Sequence, residues 1–248
     1  FLLLAIPFFV LSGNIMAKAG ISTRLIRFVD TCVGHRKGGI ANVCIIVACF
    51  FGAISGSGPA TVAALGAVLI PAMVERGGFS APFSTALMAT ASSIAIVIPP
   101  SIAFVVYASI TGVSIGDMFM AGIVPGILMG LALIIVVMLE VRKNHVVPSN
   151  VQKASAKERL DAFKDAFWGF LMPVIILGGI YGGIFTPTEA AAVSVVYGLF
   201  VGMVIYKEVK LKDLWDILID SAKTTGGIML IVACASLFSF VCTRFGIS

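Results

Sequence analysis

A short run of hydroxyl and glycine residues interrupts the apolar stretch 38–74. Its sequence is Ser55-Gly56-Ser57-Gly58-Pro59, and a helix can start at Pro59 because the first helical turn does not need the N–H that proline lacks. The preceding helix would present free carbonyl groups to a cation, and the following one would present N–H groups to a carboxylate. Hydroxyl and carbonyl oxygens can bind a sodium ion without any formal charge. Close packing of helices would explain the small side chains, but not the break.

Two consecutive prolines interrupt a second apolar stretch, in the sequence Ile98-Pro99-Pro100-Ser101. Proline lacks the N–H that a helix interior needs, so several carbonyl groups near this pair lose their helical partners. Ser92 and Ser93 precede the pair by one to two helical turns, so their oxygens can lie near the freed carbonyls. We expect the two breaks to lie side by side and to share one cation site. A plain proline kink is the alternative interpretation.

A third motif, Thr186-Pro187-Thr188-Glu189, places an acidic residue in an apolar region. Thr186 fits a helix N-cap, Pro187 fits the first helical position, and Glu189 completes a capping box. This structural role is sufficient to explain the motif. An acid near a membrane boundary also has a functional interpretation, and the sequence leaves both open.

The elements that position these motifs must be membrane helices. Hydrophobic residues make up 59% of the 248 positions and charged residues only 12%, about half of what a soluble domain carries. Runs such as 124–139 and 193–205 can, with their flanks, cross about 30 Å of hydrocarbon as helices. We therefore predict an all-α polytopic membrane protein in a lipid bilayer, with no nucleic-acid partner. The five cysteines lack the spacing of a metal or redox site. A membrane enzyme would need a titratable pair within the spans, and the predicted spans contain none, so we do not expect an enzyme.

The positions of the 17 Lys and Arg residues predict the topology. If the chain crosses outward and back once in each long gap between basic clusters, all of them except Arg244 lie on one side, which the positive-inside rule makes cytoplasmic. We expect spans near 1–17, 81–110, 118–140, 168–185, 188–206 and 224–243. The segments 22–33 and 211–222 are expected along the interface, and the linker 142–166 in the cytoplasm.

The stretch 38–74 has cytoplasmic charge on both sides, yet it is shorter than the roughly 40 residues that two spans and a turn need. It therefore predicts a re-entrant helical hairpin, and two short tilted spans are the alternative. An inverted repeat is also predicted, since Gly20-Ile21-Ser22 and Gly246-Ile247-Ser248 each follow an apolar run. Because the chain opens within an apolar run, we expect it to be an internal fragment.

Three motifs, in this order, resemble the large membrane subunit of the tripartite ATP-independent periplasmic (TRAP) transporters. They are Phe51-Gly52-Ala53-Ile54-Ser55-Gly56-Ser57, Ile98-Pro99-Pro100-Ser101 and Gly183-Ile184-Phe185-Thr186-Pro187-Thr188-Glu189-Ala190-Ala191. The resemblance implies an elevator-type carrier of the bacterial inner membrane, in which a transport domain with re-entrant hairpins moves against a scaffold. The family's second hairpin and second Pro-Pro break do not occur in this sequence.

The resemblance also implies a function and partners. The expected activity is sodium-coupled uptake of an organic acid anion, of the sialic acid or C4-dicarboxylate class. A periplasmic binding protein is expected to deliver the substrate, and a small four-helix membrane subunit to enlarge the scaffold. A stand-alone ion-coupled anion carrier of related fold is the alternative, since it would share the broken helices without a binding protein.

Motifs and resemblance together divide the chain into four predicted segments. They are a scaffold span with an interfacial arm helix (1–37), the transport-domain hairpin and broken helix (38–111), scaffold spans with the linker and a second arm helix (112–223), and the start of a second-repeat transport-side segment (224–248). The predicted sodium ligands are Ser55, Gly56, Ser57, Ser93, Val97 and Pro99. The predicted substrate contacts are Ser57, Gly58, Pro59, Thr61, Ser92, Pro100, Ser101, Thr186 and Glu189.

Overall fold

The computed structural model describes residues 2–143 and 153–246, and within these ranges the chain is helical and contains no β-strand. A short 3-10 turn, Leu2–Leu4, is followed by the α-helices. They are α1 (Ala5–Lys18), α2 (Ile21–Val33), α3 (Gly39–Ser55), α4 (Gly58–Glu75), α5 (Ala81–Val97), α6 (Ile102–Thr111), α7 (Ile115–Lys143), α8 (Ala156–Tyr181), α9 (Pro187–Phe200) and α10 (Leu211–Arg244). A π-helical turn, Val201–Ile205, extends α9. The predicted all-α class is confirmed.

Several helices have the length and composition of membrane spans. α4, α7, α8, α10, and α9 with its π turn each pass this test alone. Two pairs pass it as bent units, with an angle of 65° between α1 and α2 and 43° between α5 and α6. The second bend lies at the predicted Pro99-Pro100 break, because α5 ends at Val97 and α6 begins at Ile102. The prediction of a multi-pass membrane protein is therefore confirmed.

The stretch predicted as a hairpin is a pair of helices that pack on each other, α3 and α4. Only Gly56 and Ser57 separate them, and Gly56 ends α3 in the left-handed conformation with φ 60°. α3 also packs closely on α5, since a Cβ atom on Gly52 would lie 2.7 Å from the Cα atom of Ala95. Gly56 is buried and Ser57 half-buried, as suits irregular backbone at membrane depth, which must be shielded from lipid. Its depth in the bilayer stays a prediction.

Two expected segment divisions fall within continuous helices. α8 is continuous from Ala156 to Tyr181, across the expected boundary between the linker 142–166 and a span that begins at 168. α10 is continuous from Leu211 to Arg244, so the predicted boundary between segments 112–223 and 224–248 falls within one helix. A change in polarity marks where a helix leaves the apolar layer, but it does not bend the backbone. Neither junction has a left-handed glycine like Gly20, at which α1 bends into α2.

α1 packs against helices from both ends of the chain, including α3, α9 and α10. Gly13 permits a close approach to α3, because a Cβ atom there would lie 3.1 Å from the Cα atom of Ser55. The amide of Asn14 donates a 2.8 Å hydrogen bond to the hydroxyl of Ser221 in α10. A small residue and a polar contact of this kind are typical of helix packing in membranes.

The backbone turn that follows α1 recurs after α10. In both places the residue before the glycine donates to the carbonyl four positions earlier, and the glycine donates to the carbonyl three positions earlier. Gly20 has φ 70° and Gly246 has φ 63°. The same turn also follows α8, where Gly182 and Gly183 donate to the carbonyls four and three positions earlier and Gly183 has φ 68°. The turn is therefore a common helix end, and the inverted repeat stays a prediction. Ile247 and Ser248 of that match lie outside the described residues, as does the linker part 144–152.

Candidate functional site

The tip of the hairpin gathers three hydroxyl residues around the start of α4. The Oγ atom of Ser55 lies 3.1 Å from the Oγ1 atom of Thr61. Thr61 in turn donates a 2.8 Å hydrogen bond to the carbonyl oxygen of Ser57. Ser57 is the N-cap of α4, yet its hydroxyl accepts only a long hydrogen bond, 3.5 Å, from the N–H of Ala60. Ser55 and Thr61 are buried and Ser57 is half-buried, so the tip holds a compact cluster of neutral oxygens.

The backbone of the tip lies against the break between α5 and α6. The N–H of Ile102 donates a 3.3 Å hydrogen bond to the carbonyl oxygen of Gly56. A Cβ atom on Gly56 would lie 2.7 Å from the carbonyl oxygen of Pro100, so this left-handed position has no room for a side chain. A Cβ atom on Gly58 would lie 3.3 Å from the carbonyl oxygen of Ser92. The two breaks predicted from the sequence therefore lie side by side.

The two serines before the Pro-Pro pair use their hydroxyls within α5. Ser92 donates a 2.7 Å hydrogen bond to the carbonyl oxygen of Ala89, and Ser93 donates a 3.4 Å bond to the same atom. The Ser92 carbonyl faces Gly58, as described above. The structure thus brings the backbone of Ser92 to the tip. No described hydrogen bond joins the hydroxyl of Ser93 to the tip.

The break itself positions its oxygens in different directions. The hydroxyl of Ser101, the N-cap of α6, donates to the carbonyl oxygen of Ile96. The carbonyl oxygen of Val97 faces α7, where a Cβ atom on Gly122 would lie 2.3 Å from it. The pair Pro99–Pro100 is buried and joined by a cis peptide bond. Val97 as a sodium ligand therefore stays a prediction, with its carbonyl turned toward α7 in this structure.

A comparison with known families finds a match along the whole given sequence. The family described as "Tripartite ATP-independent periplasmic transporter, DctM component" matches residues 1–248. The chain belongs to this DctM family. The resemblance noted from the motifs is thereby confirmed, and the family consists of transporter components rather than enzymes.

The names of curated relatives of this DctM-family chain include several different substrates. It is 46% identical over 243 residues to the C4-dicarboxylate TRAP transporter large permease protein DctM of Pseudomonas aeruginosa, which covers 97% of this chain and 56% of that protein. It is 43% identical to the isethionate TRAP transporter permease protein DctMQ of Oleidesulfovibrio alaskensis, over 98% of this chain and 38% of that protein. It is 40% identical to a 2,3-diketo-L-gulonate TRAP transporter large permease protein of Escherichia coli, over 98% and 56%. The chain thus spans little more than half the length of the Pseudomonas and Escherichia relatives.

The third motif of the DctM chain lies at the start of α9, a helix that packs on α1 and α8. The N–H of Glu189 donates a 3.3 Å hydrogen bond to the hydroxyl of Thr186, and the Glu189 carboxylate accepts 2.8 Å bonds from both the N–H and the hydroxyl of Thr186. The predicted capping box is confirmed. No hydrogen bond among the described residues joins it to the hairpin tip. The predicted substrate role of Thr186 and Glu189 stays a prediction.

Three glycines of α7 that the sequence analysis missed bring the broken helix and the hairpin close to α7. A Cβ atom on Gly122 would clash with Val97, and one on Gly126 would lie 2.4 Å from the Cγ1 atom of Ile98. A Cβ atom on Gly130 would lie 3.4 Å from the sulfur of Cys49 in α3. Their spacing of four residues places them on one face of α7, and this spacing was the available signal.

A cavity of about 570 Å³ lies beside the hairpin tip. The tip residues 56–59, the end of α5, α6 and one face of α10 line it, and its polar side chains are those of Ser57, Tyr107 and Thr224. The rest of the lining is apolar, so an anion in this cavity would depend on the N–H groups at the start of α4. Within the described residues, no group of three His, Cys, Asp or Glu side chains could hold a metal ion. A cation at the tip would be bound by neutral oxygens.

Proposed function

We propose that this chain is part of a sodium-coupled secondary active transporter that takes up an organic acid anion across the bacterial inner membrane. The observation that carries the proposal is the buried cluster of neutral oxygens from Ser55, Ser57 and Thr61 against a second broken helix. A sodium ion needs several oxygen ligands in place of its water, and interrupted helices supply them without formal charge. Membership of the DctM family supports transport as the activity.

The proposed sodium site lies between the hairpin tip and the break in α5. Ser55, Gly56 and Ser57 supply oxygens from the tip, and their position beside the break supports this part of the assignment. Ser93 and Val97 would supply backbone oxygens from α5, and Pro99 would supply one from the break that follows it. A Val97 ligand requires its carbonyl to turn away from Gly122.

The proposed substrate is a small organic anion that reaches the start of α4. The backbone N–H groups at a helix start suit a carboxylate, and Gly58 allows close approach there. The remaining proposed contacts are Ser57, Pro59, Thr61, Ser92, Pro100 and Ser101. The names of the relatives include a C4-dicarboxylate, isethionate and 2,3-diketo-L-gulonate, all of which are organic anions. We favour the C4-dicarboxylate class, with sialic acid as the other class to test.

The proposed mechanism is a movement of the hairpin and broken helix, α3 to α6, against a scaffold of α1 and α7 to α9. In this division, the contacts of α7 at Gly122, Gly126 and Gly130 lie at the boundary between the two units, where glycines let the helices approach closely. A small four-helix membrane subunit and a periplasmic binding protein are the proposed partners. The words "tripartite" and "periplasmic" in the family description support both.

Uptake by the reconstituted full-length transporter tests the proposal. Proteoliposomes would contain the full-length large subunit with its small subunit, with the binding protein outside. Initial rates would be measured for labelled succinate, sialic acid and 2,3-diketo-L-gulonate, with an inward sodium gradient and with potassium in its place. We expect uptake of one anion class that requires both the sodium gradient and the binding protein.

Each alternative outcome of this experiment has a distinct interpretation. Equal uptake with sodium and with potassium would contradict the assignment of a sodium site at the tip. Sodium-driven uptake without the binding protein or the small subunit would favour the stand-alone carrier instead. Flux down a substrate gradient that neither cation alters would indicate a channel.

A further inference from the structure

The arm helix α2 contacts two parts of the protein that the proposed mechanism assigns to different units. It packs on α8, which belongs to the proposed scaffold, and on α3, which belongs to the proposed moving hairpin. α2 also carries more charged side chains than the helices around the tip. The ion-pair partners of these side chains show how α2 is joined to each of the two units.

Two arginines of α2 bind the scaffold. Arg24 forms a 2.6 Å ion pair with Glu208, and its guanidinium carbon lies 3.9 Å from the centre of the Tyr206 ring. Arg27 forms a 3.0 Å ion pair with Asp165 in the N-terminal half of α8. A stacked arginine such as Arg24 is a stronger anchor than a single exposed ion pair such as Arg27–Asp165. Both contacts join the first two turns of α2 to the scaffold.

One acid of α2 binds the hairpin instead. Asp30 forms a 3.1 Å ion pair with Arg76, the residue that follows α4 at the base of the hairpin. Among the described residues, no other ion pair joins α2 to the hairpin. The other carboxylate oxygen of Asp30 is buried and has no hydrogen-bond partner among the described residues. Asp30 therefore depends on Arg76 for compensation of its charge.

We propose that the Asp30–Arg76 ion pair is a latch that ties the hairpin to the arm helix in one transport state and opens when the hairpin moves. The inference rests on the proposed carrier function, because it needs a hairpin that moves against the scaffold. An interaction that exists in one state only shifts the equilibrium between states by its own free energy. The Arg27–Asp165 pair joins the arm helix to α8 of the scaffold, so we expect it to stay closed in both states.

Reversible crosslinks test the latch against a matched control. Cysteines would replace both members of each ion pair in a cysteine-free full-length transporter, as Asp30→Cys with Arg76→Cys, and as Arg27→Cys with Asp165→Cys. A short bis-methanethiosulfonate reagent would bridge each pair, and a reductant would release it. We expect uptake to fall in proportion to the crosslinked fraction for the first pair and to recover on reduction. The control pair should keep its uptake when it is crosslinked.

Two results would overturn the latch. Full uptake with the Asp30–Arg76 positions crosslinked would show that they never separate. Loss of uptake with the control pair crosslinked would show that the arm moves on the scaffold, so that the ion pair does not separate the two units. The yield of crosslinking can be measured even in a protein that does not transport. If the untreated protein shows no sodium-driven uptake, the proposed function fails, and a crosslinking yield unaffected by sodium or substrate would then overturn the latch separately.

Charge exchange gives a second measurement with the full chain. Asp30→Arg and Arg76→Asp each replace an attraction by a repulsion, and the double variant restores an ion pair in reversed order. We expect each single variant to change the uptake rate about two- to fivefold, as suits a partly exposed pair, and the double variant to restore it. Without such rescue, the latch is not the cause of the effect.

Discussion

Two helix starts in this protein share one sequence signal and use it differently. At the hairpin tip Ser57 precedes Gly58-Pro59, and at the start of α9 Thr186 precedes Pro187; both hydroxyl residues are extended N-caps. At Thr186 a carboxylate three residues later completes the cap, with hydrogen bonds of 2.8 to 3.3 Å. At Ser57 the cap bond is 3.5 Å long, and no acid takes part in it.

The difference lies in what the oxygens are free to do. In the α9 turn, the hydroxyl and the carboxylate bind each other, and the turn is exposed. At the tip, the hydroxyls of Ser55 and Thr61 are buried and converge on the Ser57 carbonyl, and a second broken helix lies against them. An exposed turn whose hydroxyl and carboxylate bind each other is a structural cap, whereas a buried cluster of neutral oxygens beside a second helix break can accept an ion.

The largest expected effect comes from a comparison of two left-handed glycines, Gly56 at the hairpin tip and Gly183 before the start of α9. Gly56 has φ 60° and its Cβ position would lie 2.7 Å from the Pro100 carbonyl oxygen, whereas Gly183 has φ 68° with no atom within 4 Å. Both Gly56→Ala and Gly183→Ala add the cost of a left-handed alanine, about 1–2 kcal/mol. Only Gly56→Ala also forces the two breaks apart. We expect this variant to abolish sodium-dependent uptake, while Gly183→Ala retains it.

Thermal unfolding in detergent provides the control for this pair. Both variants should unfold at a somewhat lower temperature than the unmodified protein, since they share the backbone strain. Equal uptake by the two variants would mean that the contact between the tip and the Pro-Pro break has no part in transport.

The second effect differs in kind between the two caps: the variant at Ser57 should weaken sodium binding, and the variant at Thr186 should lower stability. Ser57→Ala removes a proposed sodium ligand, and loss of one such interaction, about 1–1.5 kcal/mol, raises the sodium concentration for half-maximal uptake about tenfold. Thr186→Ala removes a well-formed cap and lowers the stability by about 1 kcal/mol, without a change in the sodium requirement. Titration of uptake with sodium and thermal unfolding of each variant measure the two effects. A sodium requirement shifted equally by both variants would remove the distinction between the caps.

The breaks in the helices could be predicted from the sequence because proline and glycine act locally. Pro99-Pro100 ends α5, and the Ser-Gly run ends α3, where the sequence indicates. The capping box at Thr186 follows from the same local chemistry. Local patterns did not predict that α8 and α10 are continuous. The change in polarity along each helix shows where its surroundings change, but it does not show whether the helix ends there.

The orientation of single carbonyl groups was also beyond the sequence. Val97 and Ser92 belong to the same broken helix, yet one carbonyl faces α7 and the other faces the hairpin tip. That outcome depends on the packing of α5 between two helices, and the glycine spacing of α7 was its only trace in the sequence. The third hydroxyl of the cluster, Thr61, was predicted as a substrate contact, whereas in the structure its hydroxyl lies between Ser55 and Ser57.

A smaller effect is expected from the hydroxyl of Thr61. Thr61→Val removes its contacts with the Ser55 hydroxyl and the Ser57 carbonyl, worth about 1 kcal/mol, so the sodium requirement should rise about three- to fivefold. Thr85→Val is the matched control, because Thr85 makes a similar 2.9 Å bond to the carbonyl of Ala81 on an exposed face of α5. If both variants keep the sodium requirement of the unmodified protein, Thr61 does not order the site.

The smallest effect is expected at the start of α9, where Glu189 has both a structural and a substrate interpretation. Glu189→Gln removes the charge but keeps a side chain that can complete a capping box. Since the carboxylate is already bound to the N–H and the hydroxyl of Thr186, we expect the substrate concentration for half-maximal uptake to change less than about twofold, well under the factor of ten that 1.4 kcal/mol would produce. Glu189→Ala, which loses the cap, should lower the unfolding temperature and leave that concentration equally unchanged. If both variants instead weaken substrate affinity by a similar large factor, the charge itself contacts the anion pathway, and the α9 turn belongs with the hairpin tip as a functional element.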